Sequence, residues 1–224
     1  MTQPRRLRVA VLASGRGGTF AALLAAQQDG RLAIDIVALL SDKRTAPALT
    51  IAESAGIATV ALRPRDYADR ASFDRALFAR AAEFSPDLVV LAGYMRVIDS
   101  LVVGIWRGRM INLHPSLLPK HPGLHTHERV LEAGESLHGS SVHYVTAQLD
   151  GGPLIAQVRL PVVAGDTPET LAVRLRPLER QLLIRVVELV AQGRLALGPD
   201  SVEFDGRPLA IPLQIDARGG FAAM

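Results

Sequence analysis

The chain has 224 residues, of which 49% are hydrophobic and 21% charged, so it carries enough apolar mass for a sizeable core and too little charge for a disordered chain. It contains no cysteine, which excludes disulfides, thiolate metal sites and a cysteine nucleophile. The net charge of +3 comes from arginines interleaved with acids, with few aromatics for base stacking, which argues against nucleic-acid binding.

The first hundred residues alternate in type. The N-terminal MTQPRRLRVAVLA has a basic run followed by apolar residues, but Val9–Ala13 is too short for a secretion signal and reads as part of a first strand, Leu7–Ala13. SGRGGT (Ser14–Thr19) breaks that strand, and FAALLAAQQ has helical composition. A second strand is expected at Ile34–Asp42, a helix at Ala46–Gly56 and a third strand in IATVALR. A helix from about Ala71 to Phe84 would place Phe73, Leu77, Phe78 and Ala81 on one face, and DLVVLAG (Asp87–Gly93) is apolar throughout, as a strand covered on both faces should be.

This rhythm predicts an α/β fold: an open, mostly parallel twisted sheet with flanking helices. Further on, RMINL is a short strand, and SSVHYVT and LIAQVRLPV read as antiparallel strands around the turn LDGGP. A long helix from Pro168 to Val190 is capped by Asp166 or Thr167. No stretch approaches the length of a membrane span. The expectation is one domain over 1–224 in a cytoplasmic protein, with a phosphate-binding half at about 1–100, a catalytic half at about 101–195 and a tail over 196–224.

Two segments carry chemistry. The glycine loop follows a strand and precedes a helix, where free N–H groups and a partial positive charge suit a phosphate. Phe20 stands where a dinucleotide fingerprint needs glycine, and there is no P-loop lysine, so neither NAD nor ATP is specifically indicated.

The second segment, INLHPSLLPKHPGLHTHE (Ile111–Glu128), holds four of the six histidines, and His138 and His143 come soon after it. A metal site is one reading of His121, His125, His127 and Glu128, but Pro115, Pro119 and Pro122 break any continuous helical ligand face. A serine triad through Ser116 or Ser141 lacks the GxSxG context. The acid–base reading starts from Asn112 and His114, two apart at a strand end, where an amide donates to an oxyanion and an imidazole exchanges protons. Asp150, in the glycine-rich turn, is the candidate partner that holds the imidazole and favours its cation. His125, His127 and His143 are expected to buttress this site, and His121 and His138 to be exposed or structural.

INLHPSLLPKHPGLHTH, GSSVHYVTAQLDGGPLIAQ, VVLAGYMRVI and SGRGG together resemble the phosphoribosylglycinamide formyltransferases, folate-dependent enzymes of purine synthesis, over most of the chain to about Gly193. The resemblance implies direct transfer of a formyl group from 10-formyltetrahydrofolate to the amine of phosphoribosylglycinamide, without a metal, in a monomer or homodimer that binds neither nucleic acid nor membrane. It also implies that His114 is the general acid/base, Asn112 holds the formyl oxygen together with protonated His114, and Asp150 orients the proton transfer. Gly17, Gly18 and Thr19 would take the substrate phosphate, and Glu179 its ribose or glycinamide end. Arg70, Met95, Arg96, Val97 and Ile98 would line the folate site, with Asn112 shared. The family's phosphate loop usually reads glycine, serine, asparagine, so Thr19 and Gly18 are departures. A formyltetrahydrofolate hydrolase, using water as acceptor, and a noncatalytic nucleotide-binding module are the rival readings.

Overall fold

The computed structural model describes residues 5–199, 201–216 and 220. The chain divides into two compact units, Met1–Ile111 and Asn112–Met224.

In the first unit, β1 (Leu7–Leu12), β2 (Ile34–Ser41), β3 (Ala58–Ala61) and β4 (Leu88–Leu91) alternate with the helices α1 (Gly18–Gln28), α2 (Pro47–Ser54) and α3 (Arg70–Glu83), and α4 (Ser100–Ile105) comes after β4. The strands lie in the order β4-β1-β2-β3, all parallel. Their Val, Ile and Leu residues are buried apart from Leu7 and Val37, which are partly so, as expected of strands covered on both faces. The chain runs outward from β1 to β3, then returns to place β4 on the other side of β1. That reversal makes the carboxyl ends of β1 and β4 the topological switch point, where ligands of open α/β sheets bind.

Local sequence explains the helix ends. Asp69 and Ser72 form a capping box that starts α3 one residue before the expected Ala71. Phe73, Leu77, Phe78 and Ala81 are buried on one face, as their spacing requires. Asp74 joins them, which periodicity does not indicate; its carboxylate accepts the Asp99 N–H at 2.8 Å.

In the second unit, β5 (Met110–His114), on which the division falls, is followed by α5 (Thr126–Glu132), β6 (Leu137–Tyr144), β7 (Leu154–Pro161) and α6 (Pro168–Ala191). β6 and β7 are antiparallel, as expected. The short α5, coming after the prolines of the histidine segment, is not among the expected elements. Thr167, not Asp166, caps α6 through a box with Thr170, while Asp166 accepts the Val163 N–H and pairs with Arg174 at 2.5 Å. Leu160 of β7 with Leu171 and Leu175 of α6 form a buried cluster against which Leu131 of α5 packs.

The segment read only as a tail carries structure. β8 (Leu195–Leu197), β9 (Val202–Phe204) and β10 (Arg207–Pro208) make a small antiparallel sheet, and β11 (Leu213–Gln214) pairs parallel with β7. Of that tail, residues 200, 217–219 and 221–224 lie outside the described residues, as do the first four of the chain. No helix among the described residues is long and apolar enough to cross a membrane.

Gly17 is irreplaceable on two grounds: its φ is +74°, and a Cβ there would lie 2.7 Å from the Ala48 Cβ. Gly17→Ala should lower the unfolding free energy by about 1–3 kcal/mol, read from urea denaturation, through backbone strain and the clash with α2.

Candidate active site

Asp150 organises the second unit's polar centre. It sits in the turn between β6 and β7 with a left-handed backbone, φ +48°. Its Oδ2 accepts the Gly123 N–H at 2.8 Å and lies 3.4 Å from His114 Nδ1. Its Oδ1 lies 3.4 Å from the Asn112 amide nitrogen and 3.5 Å from His143 Nε2. The His114 and Asp150 side chains are only 7% and 8% exposed, so this pairing operates in a poorly solvated setting. Asn112, His114 and Asp150, three of the expected site residues, are therefore brought together.

Hydrogen-bond geometry fixes the tautomers. His143 Nδ1 lies 2.9 Å from the Tyr144 carbonyl, which only an N–H can satisfy. Its Nε2 is then the bare nitrogen when neutral and accepts from Asn112 Nδ2 at 3.2 Å. His114 Nε2 is 3.0 Å from the His121 carbonyl and donates to it. In neutral His114 the bare nitrogen is consequently Nδ1, facing the Asp150 carboxylate. A proton arriving at Nδ1 completes a hydrogen bond to Asp150.

Burial pushes the His114 pKa below its ordinary value, while the His121 carbonyl and the Asp150 carboxylate push it upward and His143 and Arg129 oppose them. Burial prevails, so the resting imidazole is neutral at pH 7, against the expectation that the carboxylate holds it as a cation. For Asp150, burial raises the carboxyl, but the neighbouring His143, the hydrogen bond from the Gly123 N–H and the nearby His114 outweigh it and keep the group ionised.

A second layer of bonds fixes the segment after β5. Ser116 N–H donates to the His114 carbonyl at 2.9 Å and the Ser116 hydroxyl to the Lys120 carbonyl at 2.7 Å. Ser141 Oγ donates to the Ser116 carbonyl, and Gln157 Nε2 donates to the Leu118 carbonyl. Both serines are thus buried anchors for the loop.

Ser140 Oγ donates to the His114 carbonyl at 2.6 Å and lies 3.5 Å from Glu179 Oε1, so Glu179 is one side chain removed from the backbone of His114. Burial raises the Glu179 carboxyl to about 7, against the Ser140 bond and the charges of Arg176 and Arg180.

The remaining histidines divide. His127 Nδ1 meets His138 Nε2 at 2.8 Å, with the rings edge to face, and His138 is buried in β6. His121 contributes its carbonyl to His114 and faces Glu135 at 3.6 Å. His125 departs from the buttressing expected of it: its side chain is 74% exposed, and it serves as the left-handed residue that opens α5. No group of three or more histidines and acids placed to hold a metal ion occurs among the described residues.

In the first unit the glycine loop follows β1 and the Met95–Ile98 segment follows β4. Gly17 precedes α1 in a left-handed conformation, and Gly18 and Thr19 form the first turn. The Ser14 N–H donates to the Gly93 carbonyl and Ser14 Oγ accepts from the Met95 N–H at 3.0 Å, which ties the glycine loop to the Met95–Ile98 loop. Met95 and Val97 are exposed, at 64% and 43%, and Ile98 is buried. Arg96 lies over the Phe73 ring at 5.1 Å, and Arg70, the first residue of α3, is exposed.

Three elements escaped the sequence reading: the Gly123 N–H, the His121 carbonyl and Ser140. The first two are backbone groups and leave no mark in residue identity. Ser140 had a faint one, adjacency to Ser141 in a strand that also holds His138 and His143.

An amide, a buried imidazole and a carboxylate thus lie together on an α/β scaffold, with the neighbouring serines engaged in holding the loop. The chain belongs to the formyl transferase family, whose pattern matches residues 7–187. It is 40% identical over 203 residues to phosphoribosylglycinamide formyltransferase of Escherichia coli strain K12, covering 91% of this chain and 96% of that protein. It is 41% identical to the trifunctional purine biosynthetic protein adenosine-3 of Bos taurus, covering 88% of this chain but only 19% of that longer protein. Among solved structures, phosphoribosylglycinamide formyltransferase from Coxiella burnetii superposes with a TM-score of 0.88 at 45% identity, over 92% of this chain and 97% of that one.

The histidine pair provides a stability test. His138 titrates at about 4 in the folded chain, lowered by burial and by His127, but near 6.5 when unfolded. Between those values the unfolded state holds more protons, so stability rises with pH and is lost as pH falls from about 6.5 towards 4. Thermal melts across that window should show the decline, and His138→Gln should flatten it.

Proposed function

We propose that this chain transfers the formyl group of 10-formyltetrahydrofolate to the amine of phosphoribosylglycinamide, by direct attack and without a covalent enzyme intermediate. The observation that supports this most is the Asp150 arrangement, which brings an amide donor and a proton-accepting imidazole to one carboxylate. The extended similarity to proteins of that name supports the choice of substrates. A cytoplasmic location and action as a monomer or homodimer belong to the same proposal.

The amine attacks the formyl carbon, and the carbonyl electrons move to oxygen. Neutral His114 accepts the proton that the amine releases, and its cation is then satisfied by the His121 carbonyl and Asp150. Asn112 Nδ2 has one hydrogen committed to His143 and a second only loosely held by Asp150 at 3.4 Å, so the second is available to the oxyanion. Collapse of the tetrahedral species expels N10 of the folate, which takes a proton back. A preset donor at a developing oxyanion is worth roughly 3–4 kcal/mol, and acid–base transfer about 10²–10⁴ in rate.

In this proposal Gly17, Gly18 and Thr19 receive the substrate phosphate on backbone N–H groups at the start of α1, which the Gly18 and Thr19 departures leave in place. Glu179 accepts from the sugar or glycinamide end. Arg70, Met95, Arg96, Val97 and Ile98 receive the folate; the exposed Met95 and Val97 side chains offer apolar surface to a pterin, and Arg96 offers charge.

The test is formyl transfer to phosphoribosylglycinamide followed by absorbance. His114→Ala should lower kcat/KM about 10²–10⁴-fold. Asn112→Ala should lower kcat about 10²–10³-fold with a smaller change in KM. Folate turnover that ignores the ribonucleotide would point instead to a hydrolase. Asp150→Asn should slow transfer and move the acid limb of the kcat/KM profile to lower pH, because removing the carboxylate leaves the burial of His114 less opposed.

A further inference from the structure

The Met95–Ile98 segment, between β4 and α4, is held at its two ends and scarcely between them. The Met95 N–H donates to Ser14 Oγ at 3.0 Å, and just past Ile98 the Asp99 N–H donates to the Asp74 carboxylate at 2.8 Å. Among the described residues, no backbone N–H or carbonyl of Arg96, Val97 or Ile98 takes part in a hydrogen bond. A stretch of backbone with so few bonds of its own takes its shape from its anchors.

One of those anchors is a residue that packing alone does not explain. Asp74 is buried on the face of α3 that otherwise carries Phe73, Leu77, Phe78 and Ala81, and its Oδ1 has no hydrogen-bond partner. An apolar side chain there would avoid the cost of burying a carboxylate, so stability does not account for the acid. Its interactions run toward the segment. Burial raises the Asp74 carboxyl, against the Asp99 N–H and the charges of Arg96 and Arg70. Burial, and after it the charges of Asp74 and Asp42, raise the hydroxyl of Tyr94, the residue before Met95. Phe73, beside Asp74 on α3, carries the Arg96 guanidinium over its ring at 5.1 Å. Asp74 therefore acts on the residues at both ends of the segment and on the arginine within it.

We propose that Asp74 is a positioning residue for the folate co-substrate: the hydrogen bond that it accepts from the Asp99 N–H fixes the end of the Met95–Ile98 segment, so that Met95, Arg96 and Val97 hold one geometry before the folate arrives. The proposal rests on the assignment of that segment to the folate site. Asp74 itself touches no substrate, and its effect is confined to how well the folate is bound.

Steady-state formyl transfer by the full chain, with 10-formyltetrahydrofolate and phosphoribosylglycinamide varied in turn, tests this. Asp74→Ala should raise the folate KM roughly five- to tenfold and leave kcat and the ribonucleotide KM within about twofold, since the lost hydrogen bond orders one site only. Asp74→Asn keeps an oxygen that can accept from the Asp99 N–H, and should hold the folate KM within about twofold of wild type. The donor can be removed instead. Asp99 has φ −59°, which proline adopts, so Asp99→Pro deletes the N–H and leaves Asp74 in place. It should raise the folate KM as Asp74→Ala does, whereas Asp99→Ala, which loses only the side-chain cap on the Leu101 N–H, should not. That pair decides the question if Asp74→Ala does not fold. Equal losses for both substrates overturn the proposal, as does a folate KM unmoved by Asp74→Ala and Asp99→Pro, or one that Asp74→Asn fails to restore. Val97→Asp separates the two readings. A raised folate KM in Val97→Asp beside a normal one in Asp74→Ala refutes the positioning role alone, while an unchanged KM in Val97→Asp removes the segment from the folate site and the proposal with it.

Discussion

A single buried carboxylate bears on almost every group at the candidate site. Asp150 meets His114, Asn112, His143 and the Gly123 N–H with its two oxygens, and those four groups come from β5, β6 and the loop before α5. A charge so placed is stable only if several donors surround it, since removal from water is costly. The surrounding loops are therefore constrained to deliver donors. The left-handed turn at Asp150, the left-handed backbone at His121, Gly123 and His125, and the serine anchors after β5 are the local geometry that satisfies this demand.

The same burial sets the protonation of the site. In water a carboxylate beside an imidazole would favour the cation, but here the cost of burying that charge exceeds the attraction, and His114 rests neutral. Its bare nitrogen faces the Asp150 carboxylate, and a proton gained there would complete a hydrogen bond to it. At His138, paired with His127, burial acts without a carboxylate to oppose it: His138 falls to about 4 and is a structural element of β6.

The first unit obeys a different constraint, the order of its strands. Because β1 lies between β2 and β4, the loops after β1 and β4 meet at one edge and are joined through Ser14. The glycine loop can be tight only because Gly17 has no side chain to strike Ala48. Two segments that are eighty residues apart in the chain, one suited to phosphate and one presenting apolar surface, become neighbours by topology.

The sequence by itself determined the alternating α/β pattern, the buried face of α3 and the glycine loop, and it picked out Asn112, His114 and Asp150, which the fold brings together. These are legible because periodicity, glycine placement and side-chain chemistry are local properties. It did not disclose the strands after Leu195, whose short runs are held by pairing with β7 and with one another. Nor did it separate His143, which joins the site, from His125, which faces solvent, because two imidazoles of the same chemistry differ only in what the fold packs around them. The tertiary structure alone decided which backbone groups face His114 and Asp150 and how much water reaches them. Those two quantities fix tautomer and protonation, and they depend on burial and on partners distant in the chain, which no local pattern encodes.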